Sequence, residues 1–205
     1  MRRLRRTAVC GLVLAGLWLA SAPPALAGSD DVPNLTGRLL IATTKIDGPV
    51  FSKSVIYMVE HGADGAMGLI INRAIGSGPL SGLLERFGTD GSRVEGDIRL
   101  HAGGPVDMPS AYVLHSMDYE GVNTLQVSDE IGMTADPDIL RAISAGEGPK
   151  RKLFAFGYAG WAPGQLEAEM AEDSWQWAET DADFVFDQDL DTKWTRAMAL
   201  VRVDL

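Results

Sequence analysis

The sequence predicts an α+β domain built on a mixed sheet. Strand-like runs come first, in neighbouring pairs, and helical patterns mix with strands only later. The chain has 205 residues and is 46% apolar, enough for one sizeable core. It carries no internal repeat, heptad pattern or low-complexity tract.

The first strand is expected over Arg38 to Thr44, followed by a loop with the turn residues of IDGPVF. Ser54 to Glu60 and Met67 to Asn72 are rich in β-branched and apolar residues, and the Gly-containing turn His61 to Gly65 joins them as a hairpin. Pro79 to Phe87 reads as a helix, since Leu80, Leu83, Leu84 and Phe87 fall at i, i+3, i+4 and i+7. A loop over Gly88 to Gly96 leads to strands at Ile98 to His101, Ala111 to His115 and Thr124 to Val127, with a turn at Gly103 to Val106. Thr134 and Asp136 are cap candidates for a helix over Pro137 to Ala145, which Gly146 would end.

The most informative stretch is FGYAGWAPGQLE, Phe156 to Glu167. Lys152 to Tyr158 is apolar enough for a buried strand. Gly157 and Gly160 then suggest a tight corner, with Trp161 packed over it and Pro163 in the first turn of a helix over Gln165 to Asp173. One reading is purely structural. The other is an anion site at the helix N-terminus, which Glu167, Glu169 and Glu172 oppose by their charge. Asp183 to Phe186 is expected as a brief strand and Asp189 to Val201 as a helix, with Leu190, Trp194, Ala197, Met198 and Val201 on one side.

The first 27 residues read as a secretory signal peptide. Arg2, Arg3, Arg5 and Arg6 precede an apolar run from Ala8 to Ala20, and Ala25-Leu26-Ala27 matches a small-x-small cleavage site. The run is short for a membrane span, which needs about 20 residues. The expected product is an exported chain, periplasmic or secreted, that starts at Gly28 and keeps no stable span. Residues 28–35 would be a polar linker and 36–205 the domain. Cys10 lies in the leader and is the sole cysteine, so the mature domain would hold no disulfide and no thiolate site. Losing four arginines from 18 basic residues leaves 14 against 28 acidic, a balance of −14. Such a charge argues against nonspecific binding to nucleic acid or to anionic lipid.

Several segments together resemble the AlgH/YqgE family. They are IDGPVF, then SVIYMVEHGADGAMGLIINR from Ser54 to Arg73, GGPV at Gly103 to Val106, YVLH at Tyr112 to His115, and FGYAGWAPGQLEAE from Phe156 to Glu169 with Trp175 after it. They span nearly the whole mature chain. The resemblance implies a single α+β domain with a barrel-like mixed sheet flanked by helices, and little chemistry. Gly62 stands where the family tends to have Asn, Ala74 where Pro is usual, and members usually lack a signal peptide. The family's frequent label of transcriptional regulator finds no helix-turn-helix or basic recognition helix here.

The candidate site residues are few. Glu60, His61, His115 and Glu167 would form a polar cluster if the strand ends converge, giving a His–carboxylate general base of the kind a hydrolase uses. No GxSxG elbow accompanies it, and nothing pairs Ser52 or Ser54 with a His at a recognisable spacing. His115 lies 54 residues after His61 and 14 after His101, with no HExxH, so neither a metal nor a cofactor is expected. Gly103 and Gly104 could form a backbone nest for an anion, and Gly160, Trp161 and Gln165 a binding turn. Trp175 and Trp177 are expected to point oppositely, leaving one at the surface for a partner. The leading expectation is an exported, noncatalytic domain that binds a protein or small ligand. A hydrolase and a transcription-associated regulator are the alternatives.

Overall fold

The computed structural model describes residues 33–92 and 94–201, so the expected signal peptide and most of the linker lie outside the described residues. The end of the linker is part of the fold. Leu35 is fully buried, and the Asn34 side-chain amide donates to the His61 carbonyl.

Ten strands form one curled, half-barrel sheet, and five helices pack around it. The strands are β1 (Leu39–Ala42), β2 (Val55–Gly62), β3 (Gly65–Ile70), β4 (Ala74–Pro79), β5 (Asp97–Ala102), β6 (Val106–Ser116), β7 (Thr124–Gln126), β8 (Ile131–Thr134), β9 (Lys152–Trp161) and β10 (Trp175–Ala178). The helices are α1 (Leu80–Arg86), α2 (Asp138–Ala145), α3 (Gln165–Ala171), α4 (Ala182–Phe186) and α5 (Leu190–Leu200). The main path runs β10-β1-β2-β3-β9-β6-β8-β7, with the β4–β5 ribbon attached through β5.

β9 organises the sheet. One edge pairs with β6, antiparallel, from Lys152 to Tyr158. The other edge is divided between β5, parallel at Phe154 to Phe156, and β3, antiparallel at Ala159 to Trp161. The β5 pairing makes the sheet mixed. Gly157 sits where the partner changes, at φ +66°, and a Cβ there would come within 2.5 Å of the Gly104 carbonyl oxygen. The glycine therefore kinks a continuous strand. The corner expected at Gly157 to Gly160 falls instead at Ala162 to Gly164, and Pro163 precedes the helix.

Three apolar layers follow from alternation along the strands. Val55, Tyr57 and Val59 face the inside of the half-barrel with Leu69, Leu114 and the α4–α5 residues Val185, Phe186 and Ala197. Ile56 and Met58 face outward beneath α3, with Leu35, Trp161, Leu166 and Trp175. Leu166 alone is 1% exposed, a burial that contributes about 2 kcal/mol. Helices α1 and α2 cover Val113 and Phe154.

Other departures are local. Ala74–Pro79 (AIGSGP) has no strand composition, yet it pairs with β5, so pairing overrides propensity. Thr134 belongs to β8 rather than to a cap. Ala182–Phe186 is a helical turn rather than a strand, capped by Asp181, whose carboxylate accepts from the Phe184 N–H. Trp175 and Trp177 share a face, as residues two apart in a strand do, and pack on the same outer layer.

Candidate functional site

The candidate site lies where the β2–β3 hairpin, the end of β9 and α3 meet. The hairpin closes through the two residues Ala63 and Asp64, with Gly62 paired to Gly65. Gly65 has φ +119°, and a Cβ there would stand 2.3 Å from the Trp161 carbonyl oxygen, so only glycine lets β3 lie so close to the end of β9.

A register shift between Met58 and Glu60 decides which way the polar residues face. Beyond it Glu60 stands opposite Met67, which packs on the inner layer, and His61 stands opposite Ala66, which packs on the outer layer. Adjacent residues thus go to different places. Glu60 is exposed at the open end of the half-barrel. His61 turns beneath α3, where its Nε2 lies 3.0 Å from Glu167 Oε1. Its Nδ1 accepts from the Leu35 N–H at 3.0 Å. That nitrogen carries no proton, so the ring donates through Nε2 to the carboxylate. Both nitrogens are engaged.

Glu169, one helical turn beyond Gln165, holds the other half of the site. Its Oε2 accepts from Trp161 Nε1 at 2.9 Å and Trp175 Nε1 at 2.8 Å, and its Oε1 accepts from Gln165 Nε2 at 2.8 Å. Gln165 Oε1 accepts from the Ala162 N–H and so closes the corner before α3. Phe51 of the IDGPVF loop packs edge-on against Trp175.

Two concavities flank Trp161. A recess of about 330 Å³ lies among Phe51, Trp161, Gln165, Glu169 and Trp175. On the hairpin side an open groove of about 770 Å³ is lined by apolar Val59, Met67, Val106, Leu125 and Tyr158 and by polar Thr36, Glu60, His61, Asp64 and Gln126. Gly160 and Trp161 line both.

The expected residues therefore separate into groups. His61 and Glu167 meet, and Glu60 lies on the other side of the hairpin. His115 belongs elsewhere: fully buried between β6 and β8, it bonds Thr134 Oγ1 and the Ser116 carbonyl, and burial lowers its pKa. Gly160, Trp161 and Gln165 do converge. Gly103 and Gly104 serve close backbone approach. A Cβ on Gly103 would lie 2.2 Å from the Gly157 oxygen, and one on Gly104 would lie 2.1 Å from the Tyr158 carbonyl carbon. The Gly103 N–H is taken by the Phe156 carbonyl, so it is not free for an anion. Ser54 Oγ is buried without a hydrogen-bond partner. Among the described residues no group of three or more His, Cys, Asp or Glu is gathered as a metal would need. No described helix is long and apolar enough to cross a membrane.

Sequence reasoning missed Glu169, Phe51 and Asp64. Glu169 had a signal, being four residues after Gln165 and on the same helical face. Phe51 had none beyond its place in a loop.

The AlgH-like family model matches residues 39–205, and the chain belongs to that family. A UPF0301 protein of Methylococcus capsulatus is 44% identical over 163 residues, covering 80% of this chain and 89% of the relative. Another, from Bradyrhizobium diazoefficiens, is 43% identical over 191 residues, covering 89% and 87%. The solution structure of the AlgH protein from Pseudomonas aeruginosa superposes with a TM-score of 0.71 at 36% identity, over 83% of this chain and 90% of that one. A Corynebacterium diphtheriae protein, DIP2367, shares the fold with a TM-score of 0.66 at 19% identity, over 85% and 90%.

Proposed function

We propose that the chain is an exported AlgH-like domain that binds a partner protein or small ligand, without catalysis, in the groove beside Trp161. The observation that carries this is the groove itself. It is open, about 770 Å³, lined by apolar Val59, Met67, Val106, Leu125 and Tyr158 beside the carboxylates of Glu60 and Asp64, while the adjoining His61 is already bonded to Glu167 and to the Leu35 N–H. Concavities that combine apolar side chains with a few polar groups suit ligand capture. The rim carboxylates oppose a nucleic-acid partner. A hydrolase would need a free base beside a nucleophile. His61 has both nitrogens occupied by Glu167 and Leu35, and neither Ser52 nor Ser54 bonds to it.

Two measurements on protein from its own cells test the proposal. Intact-mass analysis of untagged protein should give a chain starting at Gly28; retention of Met1 would overturn export. A photo-crosslinking residue at Gln126, on the groove rim, should give one discrete adduct that Met67→Glu abolishes. The same residue at exposed Glu147 should give none. No adduct at Gln126, or the same adduct at both positions, would remove the groove as the binding surface.

A further inference from the structure

A second, smaller cavity lies at the opposite end of β9, roughly 25 Å from the groove at about 3.3 Å per strand residue. His101 on β5 is 2% exposed, and neither ring nitrogen completes a hydrogen bond. The carbonyls of Phe154 and Arg99 lie near the ring without completing one. Buried imidazoles without a partner are uncommon, because the lost hydration is not replaced. His101 faces a cavity of about 180 Å³ that Arg99 and Lys152 also line. Lys193 of α5 is fully buried behind it, close enough for its charge to act on the ring.

None of these three cations has a carboxylate within ion-pair distance among the described residues; backbone carbonyls hold them instead. Arg99 Nη1 donates to the Gln188 carbonyl at 2.7 Å and Lys152 Nζ to the Pro149 carbonyl at 3.0 Å. Lys193 Nζ donates to the carbonyls of Val185 at 3.0 Å and Asp187 at 2.8 Å. Each therefore keeps N–H groups to spare. Asp97 also lines the cavity, but it is exposed at the outer end of β5. Asp187 and Asp189 act on Lys193, and Asp118 on Lys152, only from beyond ion-pair distance, so the cations around the buried imidazole keep no direct carboxylate contact in a chain with 28 acidic residues against 18 basic.

We propose that this cavity binds a small oxyanion, a phosphate or a carboxylate, held by Arg99 and Lys152 with the His101 N–H at its base. The volume equals about six water molecules, enough to admit one such group. The anion would give the imidazole its missing acceptor and offset the buried charge of Lys193. Guanidinium and ammonium donors bind oxyanions through charge-assisted hydrogen bonds, which are roughly twice as strong as neutral ones.

The test follows the His101 ring resonance by NMR in the full chain while sodium phosphate, sodium acetate or sodium chloride is added at constant ionic strength. The expected result is a saturable shift with phosphate or acetate and none with chloride, while His61 and His115 stay unmoved. Which oxyanion saturates identifies the class. The His101 titration midpoint, about 4 without the anion, should rise at saturation. Lys152→Gln and Arg99→Gln should each weaken the oxyanion at least tenfold. No saturable shift, an equal response to chloride, or undiminished binding in both variants would overturn the site.

Discussion

Trp161 and Trp175 stand 5.7 Å apart and nearly perpendicular, at 83°, and both aim their indole N–H at one oxygen of Glu169. Trp161 ends β9 and Trp175 begins β10, so the carboxylate ties two strands that do not pair with each other to the helix between them. This arrangement fixes the wall shared by the groove and the recess.

Glu169→Ala should therefore destabilise the domain by about 2–4 kcal/mol, because two largely buried indole N–H groups lose their acceptor together. Glu169→Gln keeps one oxygen able to accept from both indoles and should cost about 1 kcal/mol. Urea unfolding monitored by tryptophan fluorescence distinguishes them. Equal losses for the two variants would mean that packing, and not the shared acceptor, holds the rings.

His61 and Glu60 are neighbours in sequence with opposite consequences. His61→Ala leaves the Leu35 N–H without its acceptor and Glu167 without its donor, so a loss of about 2 kcal/mol is expected. Glu60 is exposed, and Glu60→Ala should change stability by no more than about 0.5 kcal/mol. Glu60→Ala should weaken capture in the groove all the same, since it removes a rim charge. Two matched denaturation curves and the Gln126 crosslink settle both points.

What was legible in the sequence follows from what is local. The hairpin could be read from β-branched runs around a short glycine turn, and α1 and α5 from their apolar spacing. The AlgH-like motifs pointed to a barrel-like sheet. The β2 register shift was not legible, because an extra residue in a strand has no composition of its own; that shift turns Glu60 inward to the groove and His61 outward to α3, where unbroken alternation would have reversed them. The β4 strand was hidden for a related reason, since β5 and not AIGSGP supplies its stability. The basic cavity was hidden because Arg99, His101, Lys152 and Lys193 come from three elements distant in sequence, two of them joined by the parallel β5–β9 pairing and the third, α5, approaching from behind.

Burial, with the nearby charges of Lys193 and Arg99, lowers the pKa of His101 from 6.5 to about 4. The neutral ring is thus the form the folded state prefers. Its contribution is fully present above pH 6.5 and is lost as pH falls from there toward 4, where the unfolded chain binds the extra proton. In chloride buffers the stability should drop by about 2 kcal/mol between pH 7 and pH 5. His115, also lowered by burial, acts in the same direction. The carboxylates with lowered pKa values, Asp118, Asp187 and Asp189, lose their stabilising charge only below this window. His101→Leu should flatten most of the slope; an unchanged slope would assign the acid sensitivity elsewhere.

Lys193 produces the opposite limb. Its pKa falls from 10.5 to about 8, chiefly through burial, with Asp187 opposing the shift. A lysine with a lowered value is held most comfortably when neutral, so the folded state carries a cost at pH 7 that fades as pH rises from 8 toward 10.5. Losing the proton does not cost the two carbonyl bonds, because a neutral amine keeps two N–H groups for Val185 and Asp187. Stability should therefore rise by about 2 kcal/mol between pH 7.5 and pH 9.5, a range in which an acidic protein ordinarily gains nothing. The tyrosines with raised values, Tyr57, Tyr112 and Tyr119, titrate above it and do not interfere. Lys193→Met should abolish the rise. Saturating oxyanion should shrink it in the native chain, because a bound negative charge stabilises the ammonium form. A rise that survives Lys193→Met would place its origin in another group.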